Sequence, residues 1–212
     1  MSVLPLLTVT AAASSYDLVT LAAVKAELAI TVSTYDSILG TYISAASAAA
    51  AQYCNRVFPK ETLTEIFNLS RARLQWGGER LLQAGRYPVV TVASVTEDTT
   101  VLVANTDYKV DLVTGQFFRL EPTSGIVTRW DITPVTIVYD AGYNTIPLDL
   151  ADAVTRMVKS RWFARGRDPY TRQENIPGVR DVSYWVPTGT EAGNLTPDIA
   201  DILDNYRAVT FG

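Results

Sequence analysis

The sequence contains no histidine and a single cysteine, Cys54. Histidine-dependent catalytic triads are therefore impossible. Zinc sites built on cysteine and histidine are excluded, and no internal disulfide can form. Cys54 follows an alanine-rich run on a predicted helix, where a thiol acts as a small buried hydrophobe. With no imidazole to activate it, it is no candidate nucleophile. A lone thiol implies a reducing or indifferent compartment, which suits the cytoplasm. Long apolar runs are missing too: none approaches the ~20 residues of a membrane helix. Basic residues are absent before Lys25, and Pro5 interrupts MSVLPLLTVTAAASS. That apolar start lacks the charged region of a signal peptide. It reads instead as an extended arm, residues 1–17, that packs on a neighbour.

What is present is a chain of 212 residues, enough for one ordinary domain or one domain with a sizeable appendage. Its net charge of −4 is unevenly spread. Residues 151–180 hold Arg156, Lys159, Arg161, Arg165, Arg167, Arg172 and Arg180 against Asp152, Asp168 and Glu174, seven against three and so +4. The remainder of the chain is then −8. A basic segment on an acidic body fits nucleic acid, an acidic protein surface, or a solvated helix face with mixed salt bridges.

The periodicity changes twice. Thr20 can cap a helix over 21–30, in which Leu21, Val24 and Leu28 form one stripe. A second helix, 35–55, carries Leu39, Tyr42, Ile43, Ala46, Ala50 and Tyr53 on its buried face, with small residues that permit close helix approach. From Arg56 the period becomes two. Short strands are predicted over 62–69, 89–95, 101–103, 108–112, 116–120 and 135–139, with Val113-Thr114-Gly115 as a hairpin turn. Short connections between sequential strands make the block antiparallel. Pro147, Asp149 and Asp152 then open a third helix, 147–165, along which Ala151, Val154, Val158 and Trp162 recur at helical spacing. Two helices, a β block over 60–140 and a third helix give an α+β fold rather than alternating βαβ units. Beyond Gly166 the chain is irregular: a turn at Ile176-Pro177-Gly178, a strand over 179–186, a Gly/Thr-rich linker, and a short helix over 197–206. The apolar stripe of that helix, Ile199, Ile202, Leu203 and Tyr206, must dock on its own domain or on a partner.

Candidate chemistry is thin. Glu97-Asp98 sits beside a hairpin turn, Asp149 and Asp152 start a helix, and Asp198, Asp201 and Asp204 lie on the last helix. These are ordinary places for carboxylates, and no motif brackets any pair. Gly77-Gly78 forms neither GxGxxG nor a P-loop. No cofactor is implied. The aromatics are more telling, because Tyr184-Trp185 in the irregular tail is hard to place in a monomer core and suits a protein interface.

Six segments occur in order: LVTLAAVKAELAI (18–30), YDSILGTYISAASAAAAQYCNR (35–56), RYPVVTVASV (86–95), DYKVDLVTGQFFRL (107–120), VTIVYDAGY (135–143) and IPLDLADAVTRMVKSRWFAR (146–165). Together they resemble the head–tail connector, or head-completion adaptor, proteins of tailed bacteriophages and gene-transfer agents. The resemblance implies a small helical bundle of three main helices with an inserted antiparallel β module, and no catalysis. It also implies a ring, usually of twelve copies, in the virion neck between capsid and tail. The portal protein lies above that ring and a stopper or tail-completion protein below. Genomic DNA passes through the lumen without sequence-specific binding, and no membrane is involved. Assembly would take place in the bacterial host cytoplasm. The adaptor core corresponds to residues 18–166, and 167–212 to a C-terminal tail that docks on the portal. The partner contacts expected on this basis are Arg161, Arg165 and Arg167 at the end of the third helix. Ile176, Pro177, Tyr184 and Trp185 follow in the irregular segment, and Ile199, Ile202, Leu203, Tyr206 and Phe211 at the C-terminus. The alternative is a DNA-binding accessory protein using the basic segment 156–180.

Overall fold

The computed structural model describes residues 6–69, 80–166, 173–176, 180–183 and 195–208, the stretches 173–176 and 180–183 by their backbone. The chain forms two compact units. One comprises the described residues of Met1–Ser15 and Val57–Thr145, the other those of Tyr16–Arg56 and Ile146–Gly212.

The first unit is β. It contains β1 (Leu6–Ala11), β2 (Glu61–Asn68), β3 (Leu81–Gln83), β4 (Val89–Glu97), β5 (Thr100–Val101), β6 (Tyr108–Asp111), β7 (Gln116–Leu120), β8 (Val127–Thr128) and β9 (Pro134–Ala141). Five of these form a sheet in the order β1-β2-β9-β4-β5, every pair antiparallel. A smaller sheet runs β3-β7-β6, with β8 also paired to β7. Alternation explains the core. Leu63 and Phe67 of β2 and Val135, Ile137 and Tyr139 of β9 point inward and are buried together with Val95, Phe117 and Trp130. Each fully buried side chain of this size contributes about 1.5–3 kcal/mol. The β6–β7 hairpin turns where expected. Gly115 takes φ +71°, and Asp111 Oδ1 accepts from the Val113 amide at 3.0 Å. Gly142 ends β9 with φ +110°, and a Cβ there would stand 2.5 Å from the Pro59 carbonyl oxygen.

The second unit contains the helices α1 (Leu21–Glu27), α2 (Asp36–Cys54), α3 (Leu148–Ala164) and α4 (Pro197–Asp204). Helix α2 contacts α1, α3 and α4, and α3 contacts α4. Thr20 Oγ1 accepts from the Ala23 amide at 3.2 Å, the predicted cap. Helix α2 stops where Asn55 turns left-handed at φ 49°. Ala46 and Ala50 are buried on its inner face.

The α+β organisation is as expected, and so are most of the boundaries. Helix α1 ends three residues early, because Ala29 adopts φ 53° and Ile30 N closes onto Lys25 O at 2.9 Å. Strands β3 and β8 were not expected. Both are very short and gain their ladder only by pairing with β7. In the irregular segment, Gln173–Ile176 pairs antiparallel with Arg180–Ser183 as a hairpin, β10 and β11, where only a strand over 179–186 was expected. Residues 6–11, read as an arm, lie along β2 as β1.

Candidate partner-binding interface

The basic segment of the sequence is not one surface. Helix α3 turns its first two cations to carboxylates. Arg156 pairs with Asp152 at 2.7 Å and with Asp198 of α4 at 3.2 Å, and Lys159 pairs with Glu27 of α1 at 2.5 Å. Their charge is spent inside the unit. The next two cations stack on aromatic rings instead. The Arg161 guanidinium lies 4.4 Å from the centre of the Tyr42 ring. Arg165 lies 3.7 Å from Trp162 and 4.9 Å from Tyr35, and those two rings meet edge to face at 5.1 Å. Such contacts are worth about 0.5–1 kcal/mol at exposed sites. They hold the side chains in place without neutralising them, and among the described residues no carboxylate pairs with either arginine. Phe163, 72% exposed, lies on the same turn. The C-terminal end of α3 is thus a fixed, positively charged, aromatic surface.

The expected tail contacts separate in a different way. Ile199 and Leu203 are buried in their own unit, with Leu203 at 0% exposure. Ile202 and Tyr206 are half-buried. The Tyr206 hydroxyl donates to Asp149 Oδ1 at 2.5 Å, and Tyr53 donates to Asp204 at 2.9 Å. The Ala208 amide donates to the Cys54 carbonyl at 2.9 Å. Of the two possibilities left by periodicity, α4 takes docking on its own unit. Ile176 closes β10 opposite Arg180. Arg167, Pro177, Tyr184, Trp185 and Phe211 lie outside the described residues.

Glu97 and Asp98 have structural places. Glu97 is buried and accepts from Arg119 Nε and from the Asp131 amide, both at 3.0 Å. Arg119 also donates to the Asp107 carbonyl at 2.6 Å and the Leu120 carbonyl at 2.9 Å. Asp98 occupies the adjoining turn at φ 54°. Sequence reasoning passed over Glu65, which is fully buried. It accepts from the Tyr139 hydroxyl at 2.8 Å and the Gly85 amide at 2.9 Å. Burial pushes its carboxyl above the usual range, and those hydrogen bonds and the nearby Arg86 charge offset this in part. The signal was available, since alternation through ETLTEIFN puts Glu61, Leu63, Glu65 and Phe67 on one face. Burial likewise pushes the Cys54 thiol up to about 11, and its Sγ donates to the Leu203 carbonyl at 3.3 Å. Neither group is poised as a nucleophile near neutral pH. Among the described residues, no cluster of three or more acidic or cysteine side chains could hold a metal ion, and no helix is long and apolar enough to cross a membrane.

No family model matches the sequence, and no curated protein does. Solved structures do match. A chain in the neck of an empty gene transfer agent particle, computed with C6 symmetry, superposes with a TM-score of 0.56 at 18% identity over 97% of both chains. A chain in the virion of the native particle gives 0.56 at 16% identity over 97% of this chain and 96% of that one. A chain in the native particle's neck, computed with C12 symmetry, gives 0.54 at 17% identity over 97% of both. The shared property is the fold, over nearly the whole length of each chain.

Proposed function

We propose that this chain is a structural adaptor in the neck of a tailed-phage or gene-transfer-agent particle. In this reading twelve copies form a ring that joins the portal to a stopper or tail-completion protein and continues the DNA channel. The observation that carries it is the likeness over 97% of the chain to neck chains of gene transfer agent particles, whose necks were computed with sixfold and twelvefold symmetry. The ordered sequence segments point the same way. Helices α1–α3 then serve as the bundle and the strands from β2 to β9 as the inserted module, while a portal-docking role for residues 167–212 requires the release of α4 first.

The task is binding rather than catalysis. Each subunit contributes modest contacts to its neighbours and to the portal, and repetition around a closed ring turns them into avidity. The end of α3 suits the portal contact. Its two arginines are preorganised on aromatic rings, so little side-chain entropy is lost when an acidic surface meets them. The unassigned Phe163 adds apolar area. Docking of the tail through Ile199 and Leu203 would require α4 to leave its place on α2 and α3, so the exposed end of α3 is the stronger of the two surfaces.

Replacing Arg161 and Arg165 together with glutamate tests this assignment. Portal capture should fall while the fold survives, with the melting temperature lowered by only several degrees, since three ring contacts worth about 0.5–1 kcal/mol each are lost. Unchanged portal capture with altered DNA affinity would favour the accessory-protein reading, in which segment 156–180 grips duplex DNA with steep salt dependence. The pairing of Arg156 and Lys159 inside the unit weighs against that alternative.

A further inference from the structure

Strand β1 stands apart from the rest of its unit in its covalent connection. All other strands of the β unit come from the continuous stretch 57–145, whereas β1 is separated from that stretch by segment 16–56 of the helical unit. It is an edge strand, held to β2 from Leu6↔Ile66 to Ala11↔Thr62, with an irregularity between Val9 and Ala11. Its side chains bury little. Leu6 is 61% and Val9 41% exposed, and Leu7 is the residue that packs on the core. The backbone ladder therefore carries most of the attachment, and β2 of any copy offers the same row of donors and acceptors. Residues 12–17, which connect β1 to the helical unit, have neither helix nor strand and are exposed except for half-buried Ala13, while the next residue, Leu18, is anchored through its amide to buried Ser47 Oγ at 3.0 Å. Six extended residues span about 20 Å, on the scale of a domain radius.

We propose that β1 is exchanged between copies on assembly: the strand of one subunit leaves its own β2 and completes the sheet of the next. The proposal rests on the adaptor reading for its ring and deepens it by naming the segment that links neighbours. Exchange preserves every β1–β2 hydrogen bond, so the closed and exchanged forms differ chiefly in the tether and in local concentration. Neighbours held in a ring present their strands to one another at effective concentrations on the order of millimolar. Each copy gives one strand and receives one, so a closed ring leaves no β2 edge bare.

Cysteine pairs at register partners read the connection directly. Thr8↔Thr64 and Leu6↔Ile66 are paired positions, and β-partner spacing suits a disulfide. The Thr64 hydroxyl lies 3.0 Å from that of Thr10, on a face away from the core. Native Cys54 is buried and does not interfere. In T8C/T64C, and separately in L6C/I66C, the full-length protein is oxidised before and after assembly with portal, then resolved by denaturing gel. Free protein should give monomers closed within the chain, whereas assembled rings should give a ladder of covalent multimers. Monomers locked within the chain before mixing should lose ring formation and regain it on reduction. Rings that form yet cross-link only within chains, or locked monomers that assemble normally, would overturn the exchange and leave the adaptor reading standing. A reduced variant that folds but forms no ring, alongside wild type that also forms none, would overturn both.

Discussion

Helix α4 offers the sharpest quantitative test of the helical unit, through the substitution Leu203→Ala. Leu203 is fully buried, Ile199 and Ala200 beside it are nearly so, and the Leu203 carbonyl accepts from Cys54 Sγ. Eight residues are too few to hold a helix in water, so α4 depends on that apolar face. Removing the leucine side chain beyond Cβ costs the transfer of three carbons, about 2.4 kcal/mol at 0.8 per carbon. The cavity left behind raises the total to about 3 kcal/mol or more, within the span seen for buried leucines. At roughly 2–4 °C per kcal/mol for a chain of this length, the melting temperature should fall by about 6–12 °C. Circular dichroism melts would show this, and limited proteolysis should reveal faster cleavage between α3 and α4. Ile202→Ala, at a half-buried position, should cost less. If Leu203→Ala left both the melt and the digestion pattern unchanged, the docking of α4 within its own unit would be refuted, and the stripe would be free for a partner.

Other positions yield further tests. Burial raises the Glu65 carboxyl above its ordinary 4.5, so the folded chain keeps a proton that the unfolded chain has released. This group's contribution to stability therefore falls as pH rises from 4.5 through the folded-state value. Glu65→Gln should flatten that part of the pH dependence of the urea midpoint, and an unchanged slope would contradict it. Glu97→Ala takes the nearer carboxylate from a largely buried Arg119, which keeps Asp107 Oδ1 at 3.8 Å, and should cost about 1.5–3 kcal/mol in chemical denaturation, whereas Asp98→Gly at φ 54° should stay within about 0.5 kcal/mol. Equal effects would mean that the Glu97–Arg119 pair is not structural. Gly142→Ala forces a Cβ to within 2.5 Å of the Pro59 carbonyl oxygen at φ +110°, and should lower soluble yield and the melting temperature by an amount equivalent to at least about 1–3 kcal/mol. A variant that melts like wild type would rule out that close approach.

Much of this architecture was legible in the sequence because burial writes itself into periodicity. VTIVYDA alternates, and β9 buries Val135, Ile137, Tyr139 and Ala141 along one face. Of the predicted stripe Ala151, Val154, Val158 and Trp162, Val154 and Val158 are buried on α3 and the other two half-buried, and Leu150 and Ala153 complete the inner face. What was not legible depends on partners distant in sequence. Strand β8 has two residues, both exposed, and exists only because Arg119 and Leu120 lie beside it. β1 carries an apolar pattern that reads equally well as an arm, and its strand character comes from β2, more than fifty residues away. The basic stretch of α3 looked continuous because charge counts ignore direction. The helix sends Arg156 and Lys159 to acidic partners on α4 and α1, and Arg161 and Arg165 to aromatic rings. Glu65 shares the inner face of β2 with Leu63 and Phe67, a placement that strand alternation reveals and turn chemistry does not.

Electron microscopy with mass determination, on the protein alone and mixed with its neighbouring portal protein, tests the adaptor reading most directly. The account predicts a closed ring, of twelve copies, seated on the portal with the end of α3 at the contact. A protein that ignores the portal, stays monomeric and retards duplex DNA would contradict it.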